Sequence, residues 1–294
     1  MSRILVIGHT VLDIIKYKDN SDTRPGGIYH TINTLVNIKK ENDKIYLATL
    51  IPKENYELYR SVYNKVNLDY STVTESIPIV TLRLFDDKER HECHHKAADK
   101  ITMSSKIDYE QFDSILINMI SGYDIDTDDL SFIRGQSKCR IYFDVHTLAR
   151  GYNFDGERKF KQIENVERWL KNIDIIQMNE NEMWMLFGKI DKTELIEEIF
   201  SLGAEIVIIT KGSEGAEMYL SNGDEISIDT LKVNAVNLVG CGDAFGASFL
   251  YKFTETDNPD TALKFANTVA GITTTYQSLK EYEKLKNDIG RKLN

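Results

Sequence analysis

The feature that most constrains this chain is a series of short, nearly uninterrupted apolar runs. They are ILVIG from Ile4, IYLATLI from Ile45, ILIN from Ile115, IYFD from Ile141, IDIIQM from Ile173 and EIVIIT from Glu205. A strand with one wet face alternates apolar and polar residues, whereas a run without alternation suits a strand covered on both faces. Helical patterns lie between the runs. Ile28, Ile32, Leu35 and Val36 share one face, as do Ala262, Phe265, Ala266, Val269 and Ala270. Strand and helix alternating in this way predict a doubly wound α/β fold around a mostly parallel sheet flanked by helices. The 294 residues contain no Pro/Gly/Ser linker and no internal repeat, so a single α/β body over 1–294 is expected.

One region breaks the rhythm. IPIVTLRLF from Ile77, then DDKE, then RHECHH reads as strand, polar turn, strand. A β-hairpin is expected there, and VLDIIKYK (Val11 to Lys18) could add a strand to it. The picture is an α/β body carrying a small β-sheet built from segments near 11–24 and 75–97.

Charge and cysteine usage narrow the partners. With 36 basic and 46 acidic residues the net charge is −10, and no long basic block is present, so nucleic acid is a poor partner. Cys93, Cys139 and Cys241 are odd in number and widely spaced, which points to a reducing compartment rather than a disulfide framework. The N-terminal apolar runs are too short for a signal peptide or membrane span. A soluble cytoplasmic protein is expected.

The stretch with most chemical content is Gly240-Cys241-Gly242-Asp243, leading into the small-residue pattern AFGASF. Glycines before a helix let successive N–H groups point at one place, and the helix dipole makes that place an anion site. A carboxylate beside bound phosphate is well placed to take a proton from an attacking hydroxyl. An ordinary turn with Asp243 capping the helix fits the same residues equally well.

This segment resembles the carboxy-terminal signature of the ribokinase-like sugar kinases, the PfkB carbohydrate kinase family, usually D-T-x-G-A-G-D-x-F-x-G-x-F. Further segments resemble the family in order along nearly the whole chain. They are ILVIGHTVLDI with Asp13, Gly26-Gly27 opening a helix, Asn179-Glu180-Asn181-Glu182, Thr210-Lys211-Gly212-Ser213-Glu214-Gly215, and Phe265-Ala266-Asn267. The resemblance implies an ATP- and Mg²⁺-dependent kinase acting on a hydroxyl of a small sugar, sugar-like or nucleoside acceptor. Asp243 would be the general base, and the N–H groups of Gly240, Cys241 and Gly242 the anion hole. Asn179 and Glu182 would position Mg²⁺ through its waters. Thr210, Gly212, Gly215 and Asn267 would adjoin the nucleotide. Asp13, Gly26, Gly27 and Thr31 fall at acceptor positions. The small β-sheet would be a lid that excludes water, and lids of this kind often pair into a homodimer.

Departures from the pattern fall on substrate and ion positions. Asn237 and Leu238 replace the aspartate and threonine, which weighs against activation by a monovalent cation. Cys241 replaces the usual alanine, so a thiol with lowered pKa is expected at the helix N-terminus. Thr31 stands where an asparagine is usual, leaving the sugar-binding amide pair one member short. Asp144-Val145-His146-Thr147 adds polar groups after a strand, at the sheet edge where doubly wound folds bind ligands.

Three rivals are weaker. His91-Glu92-Cys93-His94-His95 matches the zinc-protease pattern H-E-x-x-H, but that chemistry needs a helix. In a strand His91, Cys93 and His95 face one way and Glu92 and His94 the other. His91 and His95 are therefore expected to look down on the acceptor as specificity elements. A nicotinamide oxidoreductase lacks its fingerprint, since the first strand ends Gly8-His9-Thr10. A non-catalytic binding relative is disfavoured by the intact Asp243 and its two glycines.

Overall fold

Every apolar run contributes buried strand residues in the computed structural model, which describes residues 1–85, 91–96, 99–152, 155–188 and 191–293. The chain begins with β1 (Arg3–Ile7), β2 (Thr10–Tyr17), β3 (Asn20–Gly27), α1 (Ile28–Ile38), β4 (Lys44–Ala48), β5 (Leu50–Pro52), α2 (Arg60–Tyr63), β6 (Thr72–Thr74), β7 (Ile79–Arg83) and β8 (His91–Lys96). It continues through β9 (Ser114–Asn118), α3 (Thr127–Gln136), β10 (Arg140–Asp144), β11 (Arg150–Tyr152), β12 (Arg158–Phe160), α4 (Val166–Leu170) and β13 (Ile175–Asn179). The remainder is α5 (Glu180–Phe187), α6 (Lys192–Ser201), β14 (Ile206–Thr210), β15 (Ala216–Leu220), β16 (Glu225–Ile228), α7 (Cys241–Thr256), α8 (Pro259–Thr273) and α9 (Leu285–Leu293). None of the described helices is long and apolar enough to cross a membrane.

Among the described residues the main sheet has the order β16-β15-β14-β13-β10-β9-β1-β4. Pairing is parallel from β14 to β4, and β15 and β16 close the far edge antiparallel. From β1 the chain steps to β4 on one side, then returns to β9 on the other. Strand order therefore reverses between β1 and β9, the place where open α/β sheets leave a crevice beyond their carboxyl ends. The run IYLATLI does not stay one strand. It breaks at Thr49, whose Oγ1 accepts from the Thr10 N–H at 2.9 Å, and resumes as β5.

The second sheet has the order β3-β2-β7-β8. β2 pairs β3 antiparallel along its whole length and β7 parallel, and β8 returns antiparallel. β3 (NSDTRPGG) carries no apolar alternation, so periodicity does not predict it; its pairing with β2 makes it a strand. A Cβ on Gly26 would lie 2.1 Å from Asp13 Oδ2, so only glycine leaves room for that carboxylate. The hairpin β11–β12 leans on the outer edge of β8. The His94 N–H donates to the Gly156 carbonyl at 2.9 Å, and Cys93 bridges to Glu157.

Candidate active site

α7 starts where the chain turns through Gly240, at φ 82°. A Cβ there would lie 2.6 Å from the His30 ring, so conformation and space both demand glycine. Gly240 offers no capping side chain, so the first turn of this sixteen-residue helix has no side-chain cap at the positive end of its dipole. Gly246 lets α7 sit close on the sheet, since a Cβ would come within 2.9 Å of Gln177 Oε1.

Two cavities meet at this helix end. The larger, about 550 Å³, is lined by Asp144, Asn179, Glu182, Thr210, Gly212 and the segment from Val236 to Asp243. The smaller, about 70 Å³, is lined by Asp13, Gly27, His30, Glu92, His94 and Arg158 together with apolar Val11, Val80 and Ile120. Gly240, Asp243, His146 and Val239 line both, so Asp243 stands at the junction.

The larger cavity has a strongly acidic floor. Asp144 is buried at the end of β10, with Oδ2 accepting from Gln177 Nε2 at 3.2 Å. Burial, then the neighbouring Glu182 and Asp243 carboxylates, raise its pKa well above the usual range. Glu182 is also raised by burial, opposed chiefly by Arg150, whose Nη2 lies 3.3 Å from Oε1. Its other oxygen accepts from the Asn179 N–H at 2.9 Å, closing a capping box at the start of α5. Among the described residues no three His, Cys, Asp or Glu side chains are arranged to hold a metal directly. The donors present suit Mg²⁺ held through water and phosphate oxygens. Glu182 has both oxygens engaged, and a cation would relieve the repulsion that pushes Asp144 up.

The predicted residues fall into three groups. Asp243, Gly240, Cys241, Gly242, Asn179, Glu182, Thr210 and Gly212 line the larger cavity; Asp13 and Gly27 line the smaller. Gly26 and Thr31 lie one layer behind, Gly26 under Asp13 and Thr31 buried in α1 with Oγ1 3.4 Å from Asn118 Nδ2. Gly215, Asn267, His91 and His95 line neither cavity. Gly215, at φ 98°, is a hairpin requirement: a Cβ would lie 1.9 Å from the Ile228 carbonyl. Asn267 Nδ2 donates to the Asp229 carbonyl at 2.9 Å.

The expectation for the histidines of β8 is reversed. The stretch is a strand, as the alternation requires, but Glu92 and His94 face the smaller cavity. His91 pairs with Glu157 at 3.0 Å and His95 with Thr81 Oγ1 at 2.7 Å. Which alternate residues face inward depends on the side of this sheet that packs on the body, and period two carries no information about that. Several residues escape sequence reasoning. Arg150 and Arg158 lie in a segment with no apolar period, and Glu92 and His94 lie on the other face of β8. Asn118 ends a buried run at the carboxyl edge, and that position is the one signal for it.

Residues 1–284 match the family model described as pfkB family carbohydrate kinase. Over 107 residues the chain is 34% identical to an uncharacterized sugar kinase of Archaeoglobus fulgidus, covering 36% of this chain and 42% of that relative. The match spans less than half the length of the curated relatives. Among solved structures, a ribokinase from Thermotoga maritima superposes with TM-score 0.81 at 19% identity, covering 100% of this chain and 99% of that one. A pyrophosphate-dependent kinase of the ribokinase family, solved as a sulfate complex, gives TM-score 0.80 at 19% identity, covering 96% and 99%.

Proposed function

Because this chain belongs to the pfkB carbohydrate kinase family and has a ribokinase-like fold, we propose that it transfers the terminal phosphoryl group of ATP to a hydroxyl of a small sugar or sugar-like acceptor. The observation that carries this reading is the shared wall. One carboxylate, Asp243, and one glycine turn border both cavities. The nucleotide takes the larger cavity and the acceptor the smaller, so the group that moves crosses the N-terminus of α7.

In this reading Asp243 accepts the proton of the attacking hydroxyl as its oxygen bonds to phosphorus. The N–H groups of Gly240, Cys241 and Gly242 stabilise the charge on the phosphoryl oxygens. Asn179 and Glu182 would hold Mg²⁺ through water, and the ion would supply charge neutralisation to the phosphates. Asp13 binds acceptor hydroxyls, held in place over Gly26. The four-stranded sheet β3-β2-β7-β8 roofs the smaller cavity and keeps water from competing as acceptor. The larger cavity reaches past the phosphate-binding turn to Thr210, Gly212 and Leu238, which favours a nucleotide over pyrophosphate as donor.

The test is coupled ADP release across sugars, sugar phosphates, polyols and nucleosides, repeated with pyrophosphate as donor and phosphate release as readout. Asp243→Asn should lower kcat by about 10²- to 10⁴-fold with little change in the KM for ATP. An unchanged rate in that variant defeats the mechanism.

A further inference from the structure

Asn118 ends β9 where the strand order reverses, and it is 1% exposed. Its Nδ2 lies 2.6 Å from Asp243 Oδ1 and 3.4 Å from Thr31 Oγ1. In both contacts the amide nitrogen is the donor, so the NH₂ side of Asn118 faces Asp243. The other end, Oδ1, is buried with no hydrogen-bond partner among the described residues. A buried carbonyl oxygen without a donor is unfavourable, so packing alone gives no reason for an asparagine here.

We propose that Asn118 is a positioning residue for phosphoryl transfer, its amide N–H holding Asp243 ionised and aimed at the junction of the two cavities. The proposal rests on Asp243 being the general base. Charges of both signs surround Asp243, with Asp144, Glu182 and Arg150 lining the larger cavity beside it. Asp144 of β10 repels it directly, and the buried Tyr282, in the turn Leu279–Lys284, feels its charge. Across the smaller cavity stand Asp13 of β2, His30 of α1, Glu92 and His94 of β8, His146 after β10 and Arg158 of β12. A hydrogen bond donated to the charged form of a carboxyl favours that form, and such charge-assisted bonds are the stronger kind. The Thr31 hydroxyl lies against the same NH₂ group and limits its rotation.

Asn118→Asp is the sharpest test because it keeps the shape and reverses the chemistry. A second carboxylate would stand where the donor was, and two carboxylates at that separation share a proton. The acid limb of kcat against pH should move up by at least about one unit. Asn118→Ala should move it the same way by less and lower kcat about tenfold at pH 7. The KM for ATP should change less than about twofold in both, because Asn118 acts on the base and not on the nucleotide. Thermal unfolding of each variant shows whether it folds. Limbs superimposing on wild type in two folded variants would overturn the proposal. Loss of rate in Asp243→Asn alongside unmoved limbs would remove the role of Asn118 and leave the base standing. Full rate in Asp243→Asn would remove both.

Discussion

Glu92 of β8 and Arg158 of β12 form an ion pair whose side chains are 6% and 9% exposed, and Arg158 also donates to Thr147 Oγ1. Glu92→Gln keeps the volume and removes one carboxylate charge from beside a buried guanidinium. Breaking a buried pair from one side costs about 3–5 kcal/mol. The unfolding entropy is about 2.1 cal/mol/K per residue. Over 294 residues that is about 0.6 kcal/mol/K, so Tm should fall by about 5–8 °C. The double variant Glu92→Leu/Arg158→Met puts apolar groups of similar volume at both positions and should recover to within about 1 kcal/mol of wild type. Thermal unfolding at pH 7 of wild type, Glu92→Leu, Arg158→Met and the double variant closes a double-mutant cycle, with an expected coupling of at least about 2 kcal/mol. An independent readout is His94, held down to about 3 by burial and then by the Arg158 charge. Its imidazole should titrate higher in Arg158→Met, as followed by NMR. Single variants that melt within 1 °C of wild type, with His94 unmoved, would refute the reasoning.

Asp144→Asn tests the acidic floor. Its raised pKa means the folded form keeps that proton to higher pH than the unfolded chain, so Asp144 costs stability once pH rises past about 4. The variant should therefore gain Tm over wild type at pH 8 and not at pH 4, and an equal gain at both would sink the argument. Gly215→Ala forces a Cβ into the Ile228 carbonyl at a left-handed φ, and should lower stability in urea by more than about 2 kcal/mol. Alkylation with iodoacetamide should reach Cys241, which lines the larger cavity, before Cys139, whose thiol is pushed up mainly by burial. Phosphate transfer should fall in step with Cys241 modification followed by mass; full activity in the modified protein would count against any role for that thiol in donor binding.

What the sequence makes legible follows from what physics writes along it. Strands buried on both faces leave unbroken apolar runs, so β1, β4, β9, β10, β13 and β14 are readable one by one. The glycine turn at α7 is readable because a left-handed φ and a ring at 2.6 Å allow little else at Gly240. β3 is not, because it carries no apolar run and its strand form comes from pairing with β2. Nor is the choice of His94 over His95 as the inward residue, since it depends on which side of the small sheet meets the body. Asn118 and Asp243 are 125 positions apart, and their contact exists only through the strand order. Gly215 shows a second demand hidden behind a motif: the turn after β14 needs glycine there whatever binds beside it, because a Cβ would meet the Ile228 carbonyl.

The placement of α7 also bears on how the molecule is made. α1 packs against α7, and the Tyr251 hydroxyl donates to Asp43, which also receives the Ser2 N–H at 2.7 Å. The first strands and α1 are thus held by a helix translated some two hundred residues later. Until that helix leaves the ribosome, the side of α1 that meets α7 has no cover, and early collapse cannot finish the domain. Asp243 is made 125 residues after Asn118, so an interrupted translation product can carry the early strands and no junction between the cavities.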